Sequence, residues 1–227
     1  MNEKDFIISK EDVKNLLKDI NLLRNSDFYK KKLIPQLIKI KEKRDYLLNY
    51  QEAVKKFNYH FMLSDESFLK FECIKDEKGS LILRYYYFGF PYNLPTYNEY
   101  LIDKGKNFNV VGYSDKDEYE QLIVESKEKD PITLIRYDYS EKNYLPGIHS
   151  ASHFHIGYGN SMRISCSKMI TPLLFTLFIL KQVYYDEWKI LISNEKIIKS
   201  YKSLKSKCKE IDKKIFQDID RKELFLD

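Results

Sequence analysis

The chain has 227 residues, 43% hydrophobic and 15% aromatic. That is too apolar for a disordered segment and long enough for one large domain. Its 39 basic and 34 acidic residues leave a net charge of +5, which permits a polyanionic partner without demanding one.

Cys73, Cys166 and Cys208 are far apart and form no CxxC, which argues against a disulfide framework and a thiolate zinc site. The N-terminus carries no apolar run of a secretory leader. The longest apolar stretch, Met169 to Leu180, is too short to cross a bilayer. A cytoplasmic protein without membrane contact is the expectation.

Residues 1–58 read as a helical extension. Ser9 is placed as an N-cap, with Asp12 three positions on, and Val13, Leu16, Leu17, Ile20 and Leu23 form a helical stripe. A break at Asn25-Ser26-Asp27 precedes a second helix from Phe28 through Lys56, with Pro35 near its start. The pair is expected as a helical hairpin with a solvated lysine-rich face.

Residues 59–227 read as an α+β domain, forming one cooperative unit with the extension. Phe68 to Lys75 and Ser80 to Gly89 are strand-like, joined by the turn signal Asp76-Glu77-Lys78-Gly79. Tyr97 to Ile102, Asn109 to Tyr113 and Ile132 to Ser140 are further expected strands. Asp117 to Ser126 fits strand or helix. His153 to Tyr158 and Ser161 to Ser167 complete a meander. Thr171 then caps a helix that opens on Pro172, with Leu174, Phe175, Phe178, Ile179 and Tyr185 making it apolar nearly all round. Residues 195–220 form a last amphipathic helix. The fold class is α+β: an N-terminal helical hairpin, a central, mainly antiparallel sheet, and C-terminal helices packed on it.

The chemistry concentrates in His149-Ser-Ala-Ser-His153-Phe-His155-Ile-Gly157. Strand residues two apart share a face, so His153 and His155 point one way and Phe154 and Ile156 the other. In the preceding strand Arg136 and Asp138 likewise share a face. An Asp beside a His fixes its tautomer, and an Arg beside both suits a phosphate. Arg163 joins His155 if the connection is a three-residue loop at Tyr158-Gly159-Asn160, and faces away if the turn has two residues.

Three readings compete. One is acid–base catalysis by His153 and His155, oriented by Asp138, with Arg136, Arg163 and His149 binding substrate and no cofactor. Another is a divalent-metal site of His149, His153 and His155, with Asp138 as ligand or support. The third is a polar strand edge with hydrogen-bonded histidines.

The run Arg136-Tyr-Asp138, His149-x3-His153-Phe-His155-Ile-Gly157, Arg163-Ile and Thr171-Pro resembles a bacterial domain family of unknown function, over roughly the C-terminal half. A weaker similarity is to TumE-type toxins of toxin–antitoxin systems, which also pair an Arg-Tyr-Asp with a His-x-His. Here Tyr139 stands where Asn is expected, and no His pair follows directly.

That similarity implies an RNA-directed, nuclease-like effector of a toxin–antitoxin or phage-defence system, with an antitoxin or a defence-system ATPase as protein partner. The alternative is a non-catalytic subunit of a defence assembly, using the helical hairpin and Arg84-Tyr-Tyr-Tyr-Phe-Gly-Phe as contact surfaces. A small-molecule metalloenzyme is a third class.

Overall fold

The computed structural model describes residues 1–26, 40–112, 115–158 and 162–224. In chain order the elements are α1 (Glu3–Asp19), β1 (Leu23–Ser26), α2 (Lys43–Lys55), β2 (Phe61–Leu63), β3 (Phe68–Lys75), β4 (Leu81–Phe88), α3 (Tyr97–Asp103), α4 (Phe108–Val111), α5 (Lys116–Glu125), β5 (Leu134–Ser140), β6 (Ser152–Ile156), β7 (Met162–Ser165), α6 (Pro172–Val183), α7 (Tyr185–Ser193), α8 (Glu195–Lys207) and α9 (Asp218–Leu224). The strands form one seven-stranded antiparallel sheet in sequence order. The fold is α+β, with helices before and after a central sheet.

Alternation along the strands divides the core. One face carries Leu69, Phe71, Leu83, Tyr85, Tyr137 and Phe154, covered by α1 and by α6 to α8. Phe175 of α6 is fully buried there, with ring centroids 5.8 Å from Tyr85, 6.1 Å from Phe71 and 6.0 Å from Phe154. The other face carries Phe68, Phe88 and Leu134 at one end, covered by Tyr46 and Tyr50 of α2. Phe68 stacks on Phe88 at 4.7 Å. Aromatic pairs of this kind add attraction beyond the area they bury.

The Asp76 turn joins β3 to β4 as its residues require. Asp76 Oδ1 accepts from the amides of Lys78 and Ser80, and Gly79 takes a φ of 81°. Thr171 caps α6, its Oγ1 accepting from the amide of Leu174 at 3.2 Å.

Several expectations change. α1 and α2 are not a hairpin: α1 packs with α6 on one face of the sheet and α2 on the other. Between them Leu23–Ser26 is an edge strand paired with β2. The stretch from Phe28 to Lys39, including Pro35, lies outside the described residues. Asn2, not Ser9, caps α1, and the buried Ser9 hydroxyl instead accepts from the amide of Leu173 at 3.0 Å. Tyr97–Asp103 and Phe108–Val111 are helical, not strands. Thr96 and Glu99 form a capping box whose local hydrogen bonds outweigh the strand propensity of Tyr and Val. Tyr185 is largely exposed, and the last helix is two, α8 and α9. Tyr85, Tyr86 and Tyr87 are buried in β4, which removes that run as a contact surface.

Phe175→Ala is expected to cost about 3–5 kcal/mol in urea unfolding, because it empties the centre of the larger core. A loss below about 1 kcal/mol would contradict this packing. A pH dependence follows from His60, whose Nδ1 accepts from the Phe71 amide at 3.1 Å. Burial, with Lys10 and Lys70 adding to it, pushes this histidine down to about 3. The folded state therefore favours the neutral ring. That stability is present above the ordinary value near 6.5 and is lost as pH falls towards 3. Below pH 6, His60→Asn should show an acid loss of stability shallower by roughly 1.4 kcal/mol per pH unit. Identical slopes would refute the assignment.

Candidate active site

Beyond the part covered by α2, the same sheet face turns polar. The register lays two rows across five strands. Lys70, Tyr86, Arg136, His155 and Arg163 are successive partners in one. Glu72, Arg84, Asp138, His153 and Ser165 are successive partners in the other. Antiparallel partners face the same way, so every one of these side chains is on one side of the sheet. Arg163 does pair with His155, as the three-residue loop requires. Residues 159–161 of that connection lie outside the described residues.

A cleft of about 380 Å³ opens over these rows, within the range of small-ligand sites. Asp138, His149, His153, His155, Arg136 and Arg163 all line it. The structure therefore brings together every residue expected from the sequence. It adds Arg84 from β4, and Lys142 and Asn143 from the loop between β5 and β6. Arg84 interrupts an otherwise apolar and aromatic strand at a position of the right parity. That was the available signal, but which strand lies beside β5 is not written in the periodicity.

The floor is a hydrogen-bonded chain. His153 Nδ1 lies 2.9 Å from the Ser150 carbonyl oxygen. A carbonyl only accepts, so this nitrogen bears a proton and donates. Burial, reinforced by His155 nearby, pushes His153 down to about 4 and leaves its ring neutral at neutral pH. Its Nε2 is then a lone pair, 2.9 Å from His155 Nε2. His155 must donate across that contact, and the same nitrogen is 3.3 Å from Asp138 Oδ2. Arg136 Nε donates to that oxygen at 2.8 Å. Burial pushes the Asp138 carboxyl up, but the His155 hydrogen bond and the Arg136 charge outweigh it, and it lies below the usual carboxylate range. His149 stands edge-on to His153, with ring centroids 4.8 Å apart.

The polar groups are only partly satisfied. Asp138 Oδ1, His149 Nδ1, His155 Nδ1 and Lys70 Nζ are buried without a hydrogen-bond partner among the described residues. Lys70 is fully buried beside Glu72, 3.3 Å away, and burial lowers its pKa despite that partner. Such orphaned groups are uncommon and concentrate where a protein handles a ligand. The side chains of Arg84, Arg163 and Lys142 make no hydrogen bond or ion pair among the described residues, so their charge is available to the cleft.

Asp138, His153 and His155 offer ligand atoms that all lie within 4.8 Å of one another. His149 is not in that group, unlike the expected set of His149, His153 and His155.

One wall of the cleft is pinned from a distance. Asp220 of α9 is fully buried; its Oδ1 accepts from the Gly147 amide at 2.8 Å and its Oδ2 from the Tyr144 hydroxyl at 2.6 Å. The loop so held carries Lys142, Asn143 and His149. Replacing the carboxylate by an amide, Asp220→Asn, removes charge-assisted bonds worth about 1.5–3 kcal/mol each. Hydrogen exchange over residues 141–150 should accelerate by roughly tenfold or more, with β4 and β5 unchanged. Unaltered protection of the loop would show that Asp220 does not hold it.

No curated protein and no solved structure matches the chain. The model of a family described as an uncharacterized conserved protein, DUF2290, matches residues 20–225. That span includes the whole sheet and every residue of the cleft, and the chain belongs to the DUF2290 family.

Proposed function

We propose that the protein is a nuclease-like hydrolase acting on phosphodiester bonds, with RNA as its substrate. The observation that carries this reading is the set of uncommitted cations, Arg84, Arg163 and Lys142, around a hydrogen-bonded His–His–Asp centre. A phosphodiester offers anionic oxygens to the guanidinium groups and places its phosphorus over the imidazoles. Charge that builds on the non-bridging oxygens during attack is met by Arg84 and Arg163. The centre activates the attacking oxygen, with Asp138 and Arg136 holding His155 in place.

The two imidazoles act as one unit. Their Nε2 atoms are 2.9 Å apart, which leaves no room for a phosphorus between them. A scheme with one histidine on each side of the phosphate therefore needs a proton donor for the leaving oxygen other than this pair. The biological setting, an effector of a bacterial toxin–antitoxin or phage-defence system with a protein partner, rests on the similarity of Arg136-Tyr-Asp138 and His153-Phe-His155 to TumE-type toxins.

End-labelled RNA and single-stranded DNA of one sequence, incubated with the purified chain, test the reading. RNA cleavage is expected, and His153→Gln or His155→Gln should slow it by roughly 100-fold to 10,000-fold. Arg163→Gln should weaken binding and reduce the slope of log affinity against log salt by about 1. Equal behaviour of the wild type and the double histidine variant on both polymers would overturn the proposal.

A further inference from the structure

We infer that Asp138 Oδ2, His153 Nε2 and His155 Nε2 form one face of a binding site for a single divalent transition-metal cation, of the zinc, manganese or iron type. For what the cation does, the inference rests on the hydrolase reading. For whether it binds, it does not.

The distances fit one ion. Ligand atoms held about 2.1 Å from a common centre are about 3 Å apart at a right angle and about 3.4 Å apart at the tetrahedral angle. The two imidazole nitrogens are 2.9 Å apart, and His155 Nε2 is 3.3 Å from Asp138 Oδ2. The third edge of the triangle stays within 4.8 Å.

The support around the triangle is also that of a metal site. His153 donates its other ring proton to the Ser150 carbonyl, which commits the Nε2 lone pair to the centre. Ligating histidines are oriented in this way, and carboxylate ligands are themselves hydrogen-bonded, as Asp138 is by Arg136. Without an ion, a single proton on His155 serves both the His153 nitrogen and the Asp138 oxygen. A divalent cation takes Asp138 Oδ2, His153 Nε2 and His155 Nε2 together, and the His155 proton moves from Nε2 to Nδ1 as it binds.

Ligand type narrows the choice. Two imidazoles and one carboxylate suit zinc, manganese or iron better than magnesium or calcium, which prefer all-oxygen sets. The triangle forms part of the cleft floor, so the remaining coordination positions are open to water and to a phosphate held by Arg84 and Arg163. Bound there, the ion would supply a nucleophile at neutral pH by acidifying a water.

The test begins with chelator-stripped protein titrated calorimetrically with zinc and, separately, manganese, in the absence of RNA. One ion per chain is expected, with a rise in melting temperature. Asp138→Asn and His153→Gln should each weaken binding by roughly 100-fold or more, beyond the loss typical of a supporting hydrogen bond. His149→Gln, which leaves the triangle intact, should bind as the wild type does. Circular dichroism establishes that each variant is folded. Absence of saturable binding by the wild type, or wild-type affinity in the Asp138 and His153 variants, overturns the inference. RNA cleavage by the stripped protein with chelator present, together with no saturable metal binding, would separate the two claims: the hydrolase reading would stand and the metal site would not. One ion bound by the triangle with no cleavage of RNA in its presence would leave the site standing and overturn the hydrolase.

Discussion

The pairing of Arg136 with His155 and of Asp138 with His153 sets the geometry of the cleft. Side chains alternate faces along a strand, so a slip of one residue in β6 would exchange the imidazoles for Phe154 and Ile156. It would also withdraw Phe154 from the core around Phe175 and bury two imidazoles against α6. The apolar face of β6 thus fixes the polar one. The packing that holds the sheet to α6 is the same constraint that aligns Asp138 with His155.

The two rows carry a cost that packing must offset. Lys70 and Glu72 lie beneath the surface, and a buried ion pair returns less in attraction than its desolvation costs unless its hydrogen bonds are complete. Here Lys70 Nζ has the ion pair and no hydrogen bond. His153 is neutral for the same reason of burial. Conflicts of this kind are tolerated at functional sites and removed elsewhere. Most of them lie along two cross-strand rows, while the opposite face of the same strands is mainly aromatic and aliphatic, with Cys73, Ser152 and the unpartnered Tyr85 hydroxyl among its few polar groups.

Much of this was legible in the sequence because strands have a period of two. Parity pairs Arg136 with Asp138 and His153 with His155 within each strand, whereas the alignment of the two polar faces and the three-residue loop that brings in Arg163 stay conditional in the sequence. The Asp76 turn and the Thr171-Pro172 cap announce themselves through residue types with one main structural use. Arg84 was missed for a different reason. Its parity was visible, but its neighbour β5 is separated from β4 by three helices, and no local pattern reports such a contact. Lys142 and Asn143 depend on a loop held by Asp220, more than 70 residues away in sequence. The helices α3 and α4 were read as strands because Tyr, Ile and Val favour sheets, although Thr96 and Glu99 carried the opposing signal. The N-terminal hairpin failed because β1 is four residues long and mostly polar. That is too short for a period to show, yet it is enough to divert the chain to the other side of the sheet.

The account's central claim is that the three clustered histidines belong to one site that receives a phosphodiester. His60, buried beside Phe71 and Phe61, serves as an internal reference. Imidazole nitrogen NMR of the uniformly labelled chain, titrated with a short RNA whose integrity is checked after each addition, reports all four rings together. The account predicts saturable shifts for His149, His153 and His155 at one common dissociation constant, with His60 unmoved and His153 protonated on Nδ1 alone before RNA is added. Shifts absent from all three clustered rings at saturating RNA, or shared equally by His60, would contradict it.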